Sequence, residues 1–365
     1  MREEVPSAET EVAGILRWAN QDGLAVIPRG GGTKQDWSNP PTRNDVQLST
    51  ARLNRILEHA WADLTVTVES GCTIAALQTA VAEHGQRLAI DALWPEQATV
   101  GGVVSSNDSG TLRLAYGSLR DLIIGITLVL ADGTIARSGG KVVKNVAGYD
   151  LPKLATGAFG TLGVITQATF RLHPLPRNTC TLTVAAANPD TAQALLLEIQ
   201  SAKLALAALQ LRFAANTEPS IDVLLEGTEE GIAAQQATLG TLAPFTDGST
   251  EVWQARQEIA GRPMVSKFSV LPSHIVRSIA AIERLRVPQW RAAVQATGIG
   301  WLSTETPAES LRAELERDGG SLAVLRGPRA DTWGEPGDAL PLMRTLKRQF
   351  DPKGTLNPGR FVGGI

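Results

Sequence analysis

Three glycine-rich stretches, each beside an apolar run of strand-like composition, constrain the fold of this 365-residue chain more than any other feature. They cover residues 28–34, 95–107 and 157–165. Because glycine has no Cβ, its backbone N–H groups can converge on an anion. Each stretch taken singly is equally consistent with an ordinary turn. Three of them in one half of the chain predict one extended ligand that carries phosphates.

Strand-like and helix-like patterns alternate around these stretches. Ser7 is a predicted N-cap, because apolar residues at helical spacing follow it. Residues 24–27 predict a buried strand that leads into the first glycine stretch, and residues 122–130 and 131–135 predict a strand followed by a tight turn and a returning strand. This order predicts an α/β or α+β unit.

Two prolines two residues apart, Pro174 and Pro176, break regular structure and predict a domain boundary. Beyond them the sequence becomes alanine-rich, with a predicted long helix over residues 189–206. The last segment begins with a predicted helix over residues 340–350. The predicted domains are residues 1–176, residues 177–335 and a C-terminal segment over residues 336–365.

Composition excludes several classes of function. The formal net charge of −3 lacks the basic footprint of nucleic-acid binders, so we predict no nucleic-acid partner. Cys72 and Cys180 are the only cysteines, which excludes an iron–sulfur cluster held by four thiolates of this chain. The longest apolar run, residues 122–131, is shorter than the ~20 residues that span a bilayer. We therefore predict a cytoplasmic protein with no transmembrane segment; peripheral attachment to the inner membrane through partners stays open.

The glycine spacing also excludes two common nucleotide motifs. Gly157, Gly160 and Gly163 depart from G-x-G-x-x-G, and they precede a strand rather than open a helix. The first stretch lacks the Gly-Lys-Ser/Thr order of a P-loop. A different phosphate-binding arrangement is therefore required.

Polar residues in the first two stretches suit a phosphate ligand. Arg29 and Lys34 flank three glycines and supply cations for a pyrophosphate, and the second stretch supplies hydroxyl and amide groups. The alternatives are a solvated turn with surface charges and an ordinary helix cap. The candidate ligand contacts are Pro28, Arg29, Gly30, Gly31, Gly32, Thr33, Lys34, Pro95, Thr99, Val100, Gly101, Gly102, Ser105, Ser106 and Asn107.

The first two stretches resemble the pyrophosphate loop and the second FAD segment of the family typified by vanillyl-alcohol oxidase and para-cresol methylhydroxylase. Residues 139–151, 157–176 and 350–360 are similar to the FAD-binding subunit of glycolate oxidase. The resemblance covers residues 1–177 and 340–362, and the rest matches only in length and texture. The further cofactor contacts assigned are Tyr149, Gly160, Gly163, Val164, Ile165 and Asn357.

The resemblance implies an α+β fold. It has an FAD-binding domain of two subdomains and an antiparallel α+β cap domain over the isoalloxazine, and the C-terminal segment returns to the first domain. Covalent attachment in this family often uses a histidine in or near the first loop. Residues 28–34 contain none, so we predict that FAD is held noncovalently.

The implied activity is oxidation of glycolate to glyoxylate within a complex. A larger flavoprotein glycolate oxidase subunit would carry the main substrate site, and an iron–sulfur subunit would take the electrons. A free-standing FAD-dependent dehydrogenase for a small 2-hydroxy acid such as D-lactate is an alternative. A noncatalytic assembly module is another.

The predicted cap offers few catalytic groups. Hydroxy-acid dehydrogenases of this family typically use a His-x-His metal site, a nearby histidine and a carboxylate-binding arginine. None of the four histidines of this chain is paired at that spacing, so we assign no metal site and no catalytic residue. His274 is the single cap histidine, with a capping or surface role as its alternative. Arg262 and Arg326 are carboxylate candidates with structural alternatives, and Tyr149 and Lys144 are candidates to approach the flavin.

Overall fold

The computed structural model describes residues 1–140, 149–305, 309–328 and 331–365, so Lys144 lies outside the described residues. The chain divides into two compact units. The first unit comprises Met1–Ser109, Gly117–Leu175 and Glu335–Ile365, and the second comprises Gly110–Tyr116 and Pro176–Gly334. The second unit thus takes Gly110–Tyr116 from within the range that we predict as the first domain.

The regular elements are numbered in chain order. The strands are β1 Arg2–Glu4, β2 Val26–Arg29, β3 Val46–Ser49, β4 Ile56–Ala60, β5 Thr65–Glu69, β6 Gln86–Arg87, β7 Ile123–Val129, β8 Ile135–Gly139, β9 Val164–Arg171, β10 His173–Pro174, β11 Asn178–Ala185, β12 Leu206–Ala214, β13 Ser220–Gly227, β14 Thr246–Asp247, β15 Val265–Ser269, β16 Trp290–Gln295, β17 Ile299–Thr304 and β18 Ser321–Arg326. The helices are α1 Glu9–Gln21, α2 Ile74–Ala82, α3 Val100–Ser106, α4 Arg113–Tyr116, α5 Leu119–Leu122, α6 Leu151–Ala155, α7 Pro189–Ser201, α8 Glu229–Leu242, α9 Ala255–Ala260, α10 Ile275–Arg284, α11 Glu309–Arg317 and α12 Leu340–Phe350.

In the first unit, a three-stranded parallel sheet has the order β1-β3-β2. Helix α1 buries Val12, Leu16 and Ala19 in one apolar core with residues of this sheet, as the helical spacing of these residues predicts. The predicted N-cap was wrong by one residue, because Ala8 occupies that position. Ser7 instead donates its backbone N–H to a carboxylate oxygen of Glu11 at 2.7 Å.

A second sheet of the same unit has five antiparallel strands in the order β4-β5-β9-β7-β8. Helices α2, α3 and α5 bury apolar side chains against it. The predicted strand–turn–strand over residues 122–135 is confirmed as the pair β7 and β8. Its turn needs Gly133, which has φ +83°. This sheet and its helices carry the second and third glycine stretches.

The C-terminal segment packs within the first unit. Helix α12 has the predicted bounds. After it, the Asp351 carboxylate accepts hydrogen bonds from the backbone N–H groups of Thr355 and Leu356 at 3.0 and 2.7 Å. Leu356 then forms a parallel bridge with Val26 of β2. Residues 355–360 are thereby fixed beside the strand that leads into the first glycine stretch.

The second unit is built on one antiparallel sheet of eight strands, in the order β14-β11-β13-β12-β16-β17-β15-β18. Helices α7, α8, α10 and α11 bury their apolar faces in the core on one side of this sheet. The predicted helix over residues 189–206 ends earlier, at Ser201, and β12 begins at Leu206. Away from that core, buried Asp222 accepts hydrogen bonds from Gln210 and Arg212 at 2.9 and 2.7 Å.

Candidate functional site

A narrow cavity of about 80 Å³ lies in the first unit, where the three glycine stretches meet. It joins the end of β2, the start of α3, the loop before β9 and the C-terminal segment. Most of the predicted contacts line it, so the fold brings together residues that are far apart in the sequence. The predicted contacts in the lining are residues 28–34, Thr99, Gly101, Gly102, Ser105, Ser106, Gly160, Gly163, Val164, Ile165 and Asn357.

Four predicted contacts do not line this cavity. The Pro95 carbonyl accepts a hydrogen bond from the Ala75 N–H at 3.0 Å. Val100 is 1% exposed within the apolar core. Asn107 ends α3 with φ +48°, and Tyr149 is 90% exposed. These four residues belong to the motifs that predicted the site, but in the folded chain they lie outside the lining of the cavity.

The first glycine stretch packs backbone to backbone against the second. A Cβ on Gly31 would lie 1.8 Å from the carbonyl oxygen of Gln97, which leaves room for no other residue. Within the described residues, the N–H groups of Gly31, Gly32 and Thr33 have no hydrogen-bond acceptor in the chain. Unpaired backbone donors beside a cavity are the groups that bind an anion.

The second glycine stretch forms part of the cavity wall, but the N–H groups of its two glycines already have acceptors within the chain. The Gly101 N–H donates to the Ser70 carbonyl at 2.7 Å, and the Gly102 N–H donates to the Thr99 hydroxyl at 3.4 Å. A Cβ on Gly101 would lie 2.8 Å from the Ser70 Cβ. The start of α3 is therefore packed closely onto residues that precede α2, and its amides are already engaged.

The serine hydroxyls of the second stretch are also engaged. Ser105 and Ser106 both donate to the Gly102 carbonyl, at 3.2 and 2.7 Å. In this arrangement their remaining capacity toward a ligand is as acceptors. They suit an N–H or O–H group of a ligand better than a phosphate oxygen.

Lys34 lines the cavity but is also held in an ion pair with Asp108, so its role as a phosphate cation stays a prediction. Its ammonium lies 3.1 Å from a carboxylate oxygen of Asp108, and the two side chains are only 6% and 0% exposed. The rings of Trp37 and Trp94 lie 5.4 and 5.6 Å from the same ammonium. Arg29, by contrast, is exposed and folds its guanidinium over Gly32 at the cavity. Arg29 is thus an exposed lining cation, which suits a phosphate.

The C-terminal segment supplies an unsatisfied acceptor. The Asn357 amide nitrogen donates to the Phe159 carbonyl at 2.6 Å. Its side-chain oxygen is buried and has no hydrogen-bond partner in the described part of the chain. Because a buried unpaired acceptor is costly, this oxygen is suited to receive an N–H group of a ligand.

Sequence reasoning missed Gln35, Thr50, Phe159 and Arg360, which also line the cavity. Arg360 and Gln35 contact each other across 325 positions of sequence. Local periodicity carries no signal for such a contact. The only hint was that Arg360 ends the C-terminal run that resembles the family.

The cap candidates have other positions. His274 ends a short turn before α10 and lines a surface cavity of about 260 Å³ formed with α10 and α11. Arg326 donates to the Ala260 carbonyl at 2.7 Å, and Arg262 lines an open cavity of about 680 Å³ in the second unit. Among the described residues, no cluster of three metal-ligating side chains occurs. In that same part of the chain, no helix is long and apolar enough to cross a membrane.

Comparison with known proteins agrees with this arrangement. Residues 4–139 match the FAD binding domain family, and residues 333–361 match the C-terminal domain of FAD linked oxidases. A solved alkyldihydroxyacetonephosphate synthase has the same fold with a TM-score of 0.70 at 17% identity, over 98% of this chain and 77% of that chain. The fold is therefore the α+β FAD-binding fold of the vanillyl-alcohol oxidase type, as predicted.

Two curated relatives define the family more narrowly. The chain is 36% identical to glycolate oxidase subunit GlcD of Bacillus subtilis (strain 168) over 205 residues, which cover 56% of this chain and 44% of that protein. It is 30% identical to mitochondrial D-2-hydroxyglutarate dehydrogenase of Bos taurus over 417 aligned positions, 98% of this chain and 76% of that protein. The match to GlcD therefore spans less than half of that relative's length. The chain belongs to the family of FAD-linked oxidoreductases that contains these proteins.

The cavity fits part of FAD. The N–H donors of the first stretch and Arg29 suit the pyrophosphate, and the unpaired Asn357 oxygen suits a ring N–H. A cavity of about 80 Å³ is smaller than the ~300–1,000 Å³ of typical small-molecule sites. The cavity would therefore hold only part of FAD.

Proposed function

We propose that this chain is the FAD-binding subunit of a glycolate oxidase or dehydrogenase complex that oxidises glycolate to glyoxylate. In this proposal the first unit is the FAD-binding domain and the second is the cap domain. The partners are a larger flavoprotein glycolate oxidase subunit and an iron–sulfur subunit. The similarity to a glycolate oxidase subunit supports this assignment.

One observation carries the proposal: the glycine-rich cavity combines unpaired backbone N–H donors with the Arg29 guanidinium, whereas the second unit has a single histidine, His274. The other three histidines are His59 in β4, His84 after α2 and His173 in β10. None of the four lines the glycine-rich cavity. Removing a proton from a substrate hydroxyl at neutral pH usually uses such a base, so we assign the main substrate site to the larger flavoprotein subunit.

The residues that would hold FAD have distinct roles in this proposal. The N–H groups of Gly31, Gly32 and Thr33 bind the pyrophosphate, and Arg29 neutralises its charge. The Asn357 oxygen orients a ring N–H. When bound, FAD supplies an acceptor for the two electrons that leave glycolate as it becomes glyoxylate and loses two protons.

Electron transfer beyond this chain requires a partner. Its two cysteines, Cys72 and Cys180, lie in different units, and four thiolates are the usual ligands of an iron–sulfur cluster. We therefore propose that electrons pass to a separate iron–sulfur subunit. We further propose a cytoplasmic location, with any attachment to the inner membrane made through partners.

A second function is a free-standing FAD-dependent 2-hydroxy-acid dehydrogenase. The alignment with D-2-hydroxyglutarate dehydrogenase favours it, because that alignment extends over 98% of this chain, cap included. The 417 aligned positions exceed the 365 residues of this chain. The relative therefore carries insertions that this chain lacks, which favours the complex subunit as the first proposal.

The two proposals differ in what the isolated chain does to a hydroxy acid. The full chain is purified alone and together with candidate partner subunits, and the flavin absorbance is followed without oxygen after addition of glycolate or D-lactate. The complex proposal predicts bleaching only when the larger flavoprotein subunit is present. Rapid bleaching of the isolated chain would establish the free-standing dehydrogenase instead. Absence of flavin from every preparation would support the noncatalytic assembly module.

A further inference from the structure

The first glycine stretch is closed into a loop by one side chain, Gln35. Its amide nitrogen donates to the Pro28 carbonyl at 3.3 Å, so it joins the residue that follows the stretch to the residue that opens it. Gln35 also lines the cavity. Because Gly31, Gly32 and Thr33 have no backbone acceptors among the described residues, the shape of this loop depends on contacts at its ends.

Arg360 fixes Gln35 in place. One terminal nitrogen of its guanidinium donates to the Gln35 side-chain oxygen at 2.7 Å, and the other donates to the Gln35 backbone carbonyl. Its Nε donates to the Ser38 hydroxyl at 2.7 Å. Arg360 is only 4% exposed. The planar fork of an arginine can satisfy these acceptors together, and the single ammonium of a lysine cannot reproduce that geometry.

The main chain before Arg360 is itself anchored beside the loop. The Asn357 N–H donates to the Val26 carbonyl at 3.0 Å, and the Val26 N–H donates to the Thr355 carbonyl at 2.7 Å. The Thr42 N–H donates to the Pro358 carbonyl at 2.8 Å. Arg360 therefore reaches Gln35 from a base that is fixed to β2, the strand that leads into the loop.

We propose that Arg360 is a positioning residue for the phosphate loop, acting through Gln35 on the Pro28 carbonyl. This inference rests on the proposed use of that loop to bind the FAD pyrophosphate. Its physical basis is preorganisation: a loop already held in its binding shape loses less conformational entropy when the anion arrives. The C-terminal residues would thus set the affinity of a loop that lies more than 300 positions earlier in the chain.

The test measures binding rather than activity. The full chain, stripped of flavin, is titrated with FAD and, separately, with ADP, which carries the pyrophosphate without the flavin. The variants are Arg360→Met, Gln35→Met and the double variant. Arg348→Met is the matched control, because that arginine is exposed and donates to the Thr345 hydroxyl at 3.2 Å. We expect each single variant to lower the affinity for FAD and the affinity for ADP by about tenfold or more. We expect the double variant to be no weaker than Arg360→Met, because the two residues act as one unit.

A second readout does not need a ligand. Hydrogen exchange of the backbone amides of residues 29–34 in the flavin-free chain should accelerate in Gln35→Met and Arg360→Met and stay unchanged in Arg348→Met. Arg360→Lys should behave like Arg360→Met. Gln35→Met removes no buried charge, so it remains a usable probe if an Arg360 variant fails to fold.

Three results would overturn the inference. A large loss in Arg360→Met with none in Gln35→Met would make Arg360 a direct phosphate ligand. Additive losses in the double variant would exclude a shared path through Gln35. Unchanged affinity and exchange in both would leave the loop independent of the C-terminal segment. If the wild-type chain itself binds neither FAD nor ADP, the proposed function fails, and this outcome is separate from failure of the positioning role.

Discussion

Replacing Lys34 by methionine distinguishes a buried ion pair from a phosphate ligand. The substitution leaves the Asp108 carboxylate, 0% exposed, without the ammonium that now lies 3.1 Å away. Removing one partner of a buried pair typically costs about 3–5 kcal/mol. For a unit of this size that corresponds to a fall in the melting temperature of about 6 °C or more. The measurement is urea and thermal unfolding of the flavin-free full chain, followed by tryptophan fluorescence, since Trp37 and Trp94 flank the ammonium.

The matched control is Arg29→Met, which removes the exposed cation of the same loop. We expect the stability of the flavin-free chain to stay within about 0.5 kcal/mol, as for most surface substitutions. We expect FAD affinity to fall by about ten- to a hundredfold, because a charged hydrogen bond contributes about 1.5–3 kcal/mol. The opposite pattern, in which Lys34→Met keeps full stability but loses FAD, would refute the assignment of Lys34 to a structural pair.

Three further predictions follow from other parts of the first unit. Gly102→Val should leave the fold intact, because a Cβ there meets only the Thr99 hydroxyl, at 3.3 Å. It should abolish FAD retention, measured by flavin absorbance after gel filtration, because Gly102 lines the cavity. Gly101→Val should instead destabilise the fold, because a Cβ there would lie 2.8 Å from the Ser70 Cβ. Burial and the nearby positive charges of Arg171 and Arg87 lower the pKa of His173. Between that lowered pKa and about 6.5, the unfolded chain therefore binds more protons at this residue than the folded chain does. Stability should therefore fall as pH falls through that window, and urea unfolding at several pH values should show a weaker dependence in His173→Asn. Acid precipitation of the holoprotein should release all flavin into the supernatant, and flavin left on the polypeptide would contradict noncovalent binding.

Much of the fold could be predicted from sequence because its signals are local. The β7–β8 pair follows from an apolar run, a glycine turn and a second run, and α12 follows from helical spacing between two breakers. The helix predicted over residues 189–206 was too long, because pairing of β12 with β13 and β16 overrides the helix preference of the alanines and leucines beyond Ser201.

The sequence indicated which loops line the cavity, but it indicated less well what each side chain there contacts. The glycines marked the loops, since close backbone approach at Gly31 tolerates no side chain. The charge partner of Lys34 and the contact between Arg360 and Gln35 depend on segments brought together only by the tertiary fold. Lys34, which the sequence pattern predicts as a cation for the ligand, pairs in the fold with the buried carboxylate of Asp108.

The most direct test of this account is a crystal structure of the full chain with FAD. The account predicts the pyrophosphate within hydrogen-bond distance of the N–H groups of Gly31 and Gly32 and of the Arg29 guanidinium. It also predicts that the Lys34 ammonium remains on Asp108. A pyrophosphate bound elsewhere, or a Lys34 ammonium that leaves Asp108 to contact it, would contradict the account.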